Sequence, residues 1–155
     1  VLDAAGVAHA VHRYRATETQ TSYGEAVAAA LGVDPSRVFK TLVALVDGRP
    51  VVAIVPVAGQ LSLRELAIAA GGKKATMAEP AEAERLTGYV VGGISPLGQR
   101  RRLPVYLDLT ASEFETIYVS AGERGLQVEV GPEQLVRLLG ASSANLSGSR
   151  RSGRR

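Results

Sequence analysis

Arg37 to Val57 reads RVFKTLVALVDGRPVVAIVPV, and the folding of this stretch decides the architecture of the chain. Two valine-rich apolar runs flank Asp47-Gly48, a dipeptide suited to the left-handed backbone of a tight hairpin turn. The stretch therefore reads as two buried strands joined back to back. One residue is out of place. Lys40 shares a strand face with Leu42, Ala44 and Val46. A lysine there loses hydration, so it needs an anionic partner or a ligand, or it must shed its proton. The alternative is a position at the open end of the strand, from which the ammonium reaches water along its aliphatic stem.

Further elements follow on both sides. HAVHRYR reads as a strand ending at Tyr14, and TETQTSYGEAVAAALGV as an alanine-rich helix that opens on the capping box Ser22-x-x-Glu25 and stops at Gly32. A second box, Ser62-x-x-Glu65, starts a helix that ends at Gly71. Pro80 begins a short helix to Gly88. PVYLDL is a strand, TIYVSAGERGLQVEV a hairpin, and GPEQLVRLLG a last helix. Strand–turn–strand units alternate with single helices, without the regular βαβ rhythm of a doubly wound fold. The expected class is α/β: a curved, barrel-like mixed β-sheet with helices packed outside it. One domain over residues 1–141 is expected, followed from Ser142 by a disordered tail of Ser, Gly and Arg.

Composition narrows the chemistry. The 155 residues suffice for one domain with a real core. There is no cysteine, hence no disulfide framework and no thiol nucleophile. No apolar run is long enough for a membrane span, and the first residues, VLDAAGVAHAV, read as no signal peptide, so a cytoplasmic protein is expected. The first residue is not Met, so a few native residues are expected to be missing. The formal charge of +3 becomes −1 once Arg150, Arg151, Arg154 and Arg155 of the tail are set aside. Positive charge in the body is local, at Lys73-Lys74 and above all at Arg100-Arg101-Arg102, which suits one phosphate-rich segment better than a long duplex. Lys73-Lys74 follows a helix end and reads as dipole complementarity.

VVGGISPLGQRRRLP, Val90 to Pro104, is the second unusual stretch. Gly92 and Gly93 lack β-carbons, so their N–H groups can approach a ligand closely and hold a carbonyl or a developing oxyanion; equally, they can be a plain turn between strands. Gly93-x4-Gly98 is no nucleotide-binding loop, because Gln99-Arg100 stands where Lys-Ser or Lys-Thr is required. His9 and His12 lie near the start with no carboxylate motif beside them and read as surface or strand residues. Metal and serine-hydrolase signatures are missing. An enzyme built from these residues works by positioning and backbone electrostatics, without metal or cofactor.

FKTL at 39–42, VPVAGQL at 55–61, GYVVGGISPLGQRRRLP at 88–104 and IYVSAGERGL at 117–126 together resemble the YbaK-type aminoacyl-tRNA deacylases. These are free-standing relatives of the editing domain inserted in bacterial prolyl-tRNA synthetases, and the resemblance spans roughly Val11 to Ala141. It implies a curved mixed α/β domain that removes a wrongly attached amino acid from the 3′ end of tRNA, with Cys-tRNA(Pro) as the expected substrate. It also implies a proximity mechanism, in which the substrate's own thiol attacks its ester carbonyl and the tRNA leaves.

Residue by residue, the resemblance makes Lys40 and Gly92 the catalytic positions. Lys40 would engage the terminal adenosine or its phosphate, and Gly92 to Pro96, with Gly93, Ile94 and Ser95 between them, would present backbone to the aminoacyl ester. Tyr14, Ser22, Tyr23, Thr41 and Ser120 would line the substrate pocket, and Arg100, Arg101 and Arg102 would hold tRNA phosphate. Gln127 stands where the best-known relatives carry aspartate, so it keeps hydrogen-bonding ability but cannot act as a carboxylate base. The implied partners are aminoacylated tRNA and, transiently, prolyl-tRNA synthetase, and no membrane. Two alternatives stay open: an editor of Ala-tRNA(Pro) or another small amino acid, and a non-catalytic module that binds RNA ends or nucleotides.

Overall fold

The computed structural model describes residues 9–13, 23–91, 93–123 and 125–147. Its centre is the expected hairpin. β2, Phe39–Val46, pairs antiparallel with β3, Arg49–Pro56, from Phe39 opposite Pro56 to Val46 opposite Arg49. Asp47 and Gly48 make the turn with positive φ of 50° and 83°, a backbone conformation that aspartate tolerates and glycine, lacking a β-carbon, adopts freely.

Both faces of this hairpin are covered. Phe39, Val43, Val52 and Ile54 enter the larger core, whereas Ala44, Val46, Val51, Ala53 and Val55 enter a second one. That is why neither run alternates with polar residues in the sequence. A five-stranded sheet has the order β4-β2-β3-β5-β8, and a three-stranded sheet the order β1-β7-β6. β4 is Ala75–Met77, β5 Val105–Asp108 and β8 Ser142–Ala144. β1 is His9–Arg13, β6 Ile117–Ser120 and β7 Leu126–Val130. β5 runs parallel to β3, and β8 parallel to β5, so the larger sheet is mixed.

Among the described residues there are four α-helices, α1 (Tyr23–Leu31), α2 (Leu63–Ala69), α3 (Pro80–Thr87) and α4 (Pro132–Leu139), and two short 3-10 turns, Pro35–Arg37 and Leu109–Glu113. Ser62 caps α2 by accepting the Glu65 N–H at 3.2 Å. The reciprocal half of that box is pre-empted, because the Ser62 N–H donates to the Leu146 carbonyl at 2.7 Å. The cap that Ser22 would supply to α1 lies outside the described residues.

The mixed α/β class stands, and among the described residues the strands form two sheets without closing into a barrel; a single bridge, Val38 to Tyr118, links them, and the larger core fills the space between. One expectation needs correction. The disordered tail does not begin at Ser142. Ser142–Ala144 pairs with β5, Leu146 is fully buried, and the Asp108 carboxylate accepts the N–H groups of Leu146 and Ser147 at 2.7 and 3.1 Å. A buried carboxylate that satisfies two main-chain donors holds a polar segment that hydrophobicity alone would release. The tail beyond Ser147 lies outside the described residues.

Candidate active site

β4 pairs with β2 only from Ala44 to Val46, so the first half of β2 forms a free edge of its sheet. The Val43 carbonyl points to that edge and accepts the Ala78 N–H at 3.1 Å. By the strand's alternation, the N–H and C=O of Thr41 turn to the same side. A cleft of about 400 Å³ opens along this edge. Its walls are mostly aliphatic, and its polar side chains are Lys40, Thr41, Ser120 and Gln127. No carboxylate lines it among the described residues.

Lys40 is half-buried, and desolvation lowers its pKa below the ordinary lysine value. Its neighbour Thr41 is 7% exposed and Gln127 is 4% exposed. Among the described residues, Thr41 Oγ1 and Gln127 Oε1 are both buried without a hydrogen-bond partner. Each unpaired buried polar atom costs about 1–3 kcal/mol, and both belong to residues that line this one cleft. Gln127 arrives there because β7 places it opposite both His12 and Ser120.

The glycine loop is only partly at the cleft. Ile94 lines it directly, as does Val91. The Gly93 N–H already donates to the Val90 carbonyl at 2.8 Å, so Gly93 brings no free amide. Ser95 is 1% exposed and turned inward, its hydroxyl accepting the Leu97 N–H at 3.1 Å; buried Pro96 follows it. The Ser120 hydroxyl accepts the Gly122 N–H at 3.1 Å at the rim. Gly122 has φ +114°, and a Cβ there would meet the Tyr89 ring at 2.9 Å, so this turn and the start of the glycine loop pack together only around glycine. Gly92, Tyr14 and Ser22 lie outside the described residues, as does the side chain of Tyr23.

Arg100, Arg101 and Arg102 do not reach this cleft. The loop folds back on the end of α3, where the Arg100 and Arg101 N–H groups donate to the Thr87 and Leu86 carbonyls. His12 is engaged elsewhere, its Nε2 2.9 Å from Glu129 Oε1. The far wall, Met77, Ala78, Pro80 and Ala83, was not legible as site. Pro80 signalled a helix start, but nothing in the sequence said which strand edge that helix would face. Among the described residues no three His, Asp or Glu side chains converge as a metal site requires, and no helix is long and apolar enough to cross a membrane.

Residues 17–138 match the family model of the aminoacyl-tRNA editing domain. The chain is 41% identical over 124 residues to a protein of Enterococcus faecalis that carries the provisional name Cys-tRNA(Pro)/Cys-tRNA(Cys) deacylase EbsC, covering 79% of this chain and 76% of that one. It is 36% identical over 103 residues to the multifunctional Ser/Thr-tRNA deacylase ProXp-y of Escherichia coli, covering 63% of this chain and 62% of the relative. A crystal structure described provisionally as a trans-editing enzyme for prolyl-tRNA synthetase superimposes with a TM-score of 0.81 at 27% identity, over 91% of this chain and 87% of that one.

Proposed function

The chain belongs to the aminoacyl-tRNA editing domain family, and on that premise we propose that it is a trans-acting deacylase that clears a small, wrongly attached amino acid from tRNA, with Cys-tRNA(Pro) as its substrate. The observation that carries this reading is the sharing of one cleft by Lys40 and Ile94 of the glycine loop. A cation and the edge of the glycine loop then meet around the same bound ester. The Lys40 ammonium, short of hydration, gains by taking an anionic or hydroxyl-rich ligand such as the terminal adenosine with its phosphate. The aliphatic walls exclude water and hold the ester in one orientation.

The chemistry then needs no protein nucleophile. The cysteine thiol of the substrate attacks its own ester carbonyl, the bond from the acyl carbon to the ribose oxygen breaks, and that oxygen takes the thiol proton as the cyclic thiolactone departs. Gln127 is compatible with this route, since an amide positions without acting as a base. A transient complex with prolyl-tRNA synthetase would supply the choice of tRNA.

A second reading is favoured by the orphaned atoms Thr41 Oγ1 and Gln127 Oε1. A side-chain hydroxyl can donate to Gln127 and accept from Thr41, whereas a thiol does both weakly. Seryl- or threonyl-tRNA would satisfy the pair, and water would then have to attack the ester. A site built to hydrogen-bond a hydroxyl discriminates strongly against analogues that lack it.

A panel of tRNAs charged with Cys, S-methyl-Cys, Ser, Thr or Ala decides between these. Under the first reading Cys is released fastest and S-methyl-Cys resists; under the second, Ser and Thr lead. In either case Lys40→Ala is expected to lower kcat/KM by about a hundredfold or more. Release at the wild-type rate by that variant, or of no amino acid by the wild type, would remove the proposal.

A further inference from the structure

At the hairpin-turn end of the five-stranded sheet, away from the cleft, positive charge collects. Arg49 opens β3, and Arg101 and Arg102 lead into β5; the pairing of Val52 with Val105 sets these two entries side by side. All three arginines are exposed and line a second groove of about 530 Å³, whose other walls include Val46, Ala70, Leu103 and half-buried Tyr106. Among the described residues none of the three is in an ion pair. Lys73 and Lys74 stand at the same end, where their N–H groups donate to the Asp47 carboxylate at 3.0 Å each. That acid is held by main chain rather than by any of the arginines.

We infer that this groove binds RNA phosphates several nucleotides back from the esterified 3′ end, an inference that rests on the deacylase reading of the cleft. Val46 lines the groove and shares a strand face with Lys40, six residues away along β2, so the two sites lie about 20 Å apart. The phosphate next to the terminal adenosine does not span that distance, but a strand leaving the cleft does. Arginine forks grip phosphate oxygens in pairs, and Tyr106 adds an aromatic surface beside them. With the body of the chain close to neutral, the attraction is local to this end and fixes the direction in which the RNA leaves the cleft.

Binding of an uncharged tRNA transcript, followed by fluorescence anisotropy over a salt series, tests this without turnover, so a failure of deacylation leaves the result intact. The triple variant Arg49→Gln, Arg101→Gln, Arg102→Gln is expected to bind roughly tenfold or more weakly and to lower the slope of log K against log salt by about 2 to 3. Lysine at the three positions should return most of the affinity. A non-hydrolysable aminoacyl-adenosine analogue, too short to reach the groove, should bind the triple variant as it binds the wild type. Unchanged tRNA affinity and slope would overturn the inference. So would equal losses on both probes, which mark a general distortion, or duplex DNA competing as well as tRNA.

Discussion

Lys40 and Thr41 are adjacent on β2 and point to opposite faces of its sheet, and burial burdens each differently. Thr41 carries a hydroxyl into an aliphatic wall without a partner. Thr41→Val keeps the shape and removes the orphan, so the free protein should gain about 1 kcal/mol in urea unfolding while release of a hydroxylated amino acid slows. Lys40 carries a charge that burial disfavours. Its folded pKa lies below the ordinary 10.5, so between those two values the unfolded chain binds more protons and stability rises with pH. Below the folded value both states are protonated and the full cost of burying the charge is present. Lys40→Met should therefore melt higher than the wild type at neutral pH, with the gap closing as pH rises toward 10.5. A gap that stays constant across that range would show that the ammonium is not strained. The position of Lys40 was readable from FKTL; its cleft was not, because the free edge of β2 exists only where β4 stops short.

The three-stranded sheet is tied together by charge as well as by pairing. Glu129 on β7 accepts the Thr116 hydroxyl at 2.6 Å and faces His12 on β1, while Arg37 donates to the carbonyl and hydroxyl of Thr116 and covers the Tyr118 ring at 5.1 Å. The Thr116 bond, with smaller help from His12 and Arg37, holds the Glu129 carboxyl below its ordinary 4.5 against the opposing effect of burial. This stabilisation is complete above 4.5 and is lost as pH falls through the lower folded value. Glu129→Gln should cost about 1 kcal/mol at neutral pH, solvent screening included, and should flatten the acid limb of the stability curve. An acid limb identical to that of the wild type would refute it. His12 was read from sequence as a surface or strand residue, and a strand residue it is; its partner lies 117 positions away, beyond any local pattern. Helix ends, by contrast, were legible. Gly32, Gly71, Gly88 and Gly140 all take the positive φ that stops a helix, a property of one residue and its neighbours.

At the scale of the whole molecule, two larger cores cover the two faces of one sheet, and a third, smaller cluster gathers Val27, Ala28, Val38 and Tyr118. Leu135 of α4 is fully buried in the larger core, between the two sheets. Leu135→Ala should cost about 2–5 kcal/mol and lower Tm on the order of 10 °C in a single cooperative transition. Separate melting of the three-stranded sheet would show that the core does not join the sheets. The amino-acid sequence by itself determined the helices and the longer strands, the hairpin turn, the editing-family kinship and the identity of the half-buried lysine, because propensity, turn chemistry and periodicity act over a few residues; the three-residue strands β4 and β8 left no such signal. Tertiary structure alone decided that the strands split into two sheets, that Ser142 to Ser147 is folded, that Gly93 has no amide to spare, and that Gln127 and Thr41 end unpaired on the same wall. It also carried Arg101 and Arg102 away from the glycine loop to stand beside Arg49. Those outcomes depend on which distant edges meet, and pairing energies between strands far apart in the chain leave no local mark on either partner.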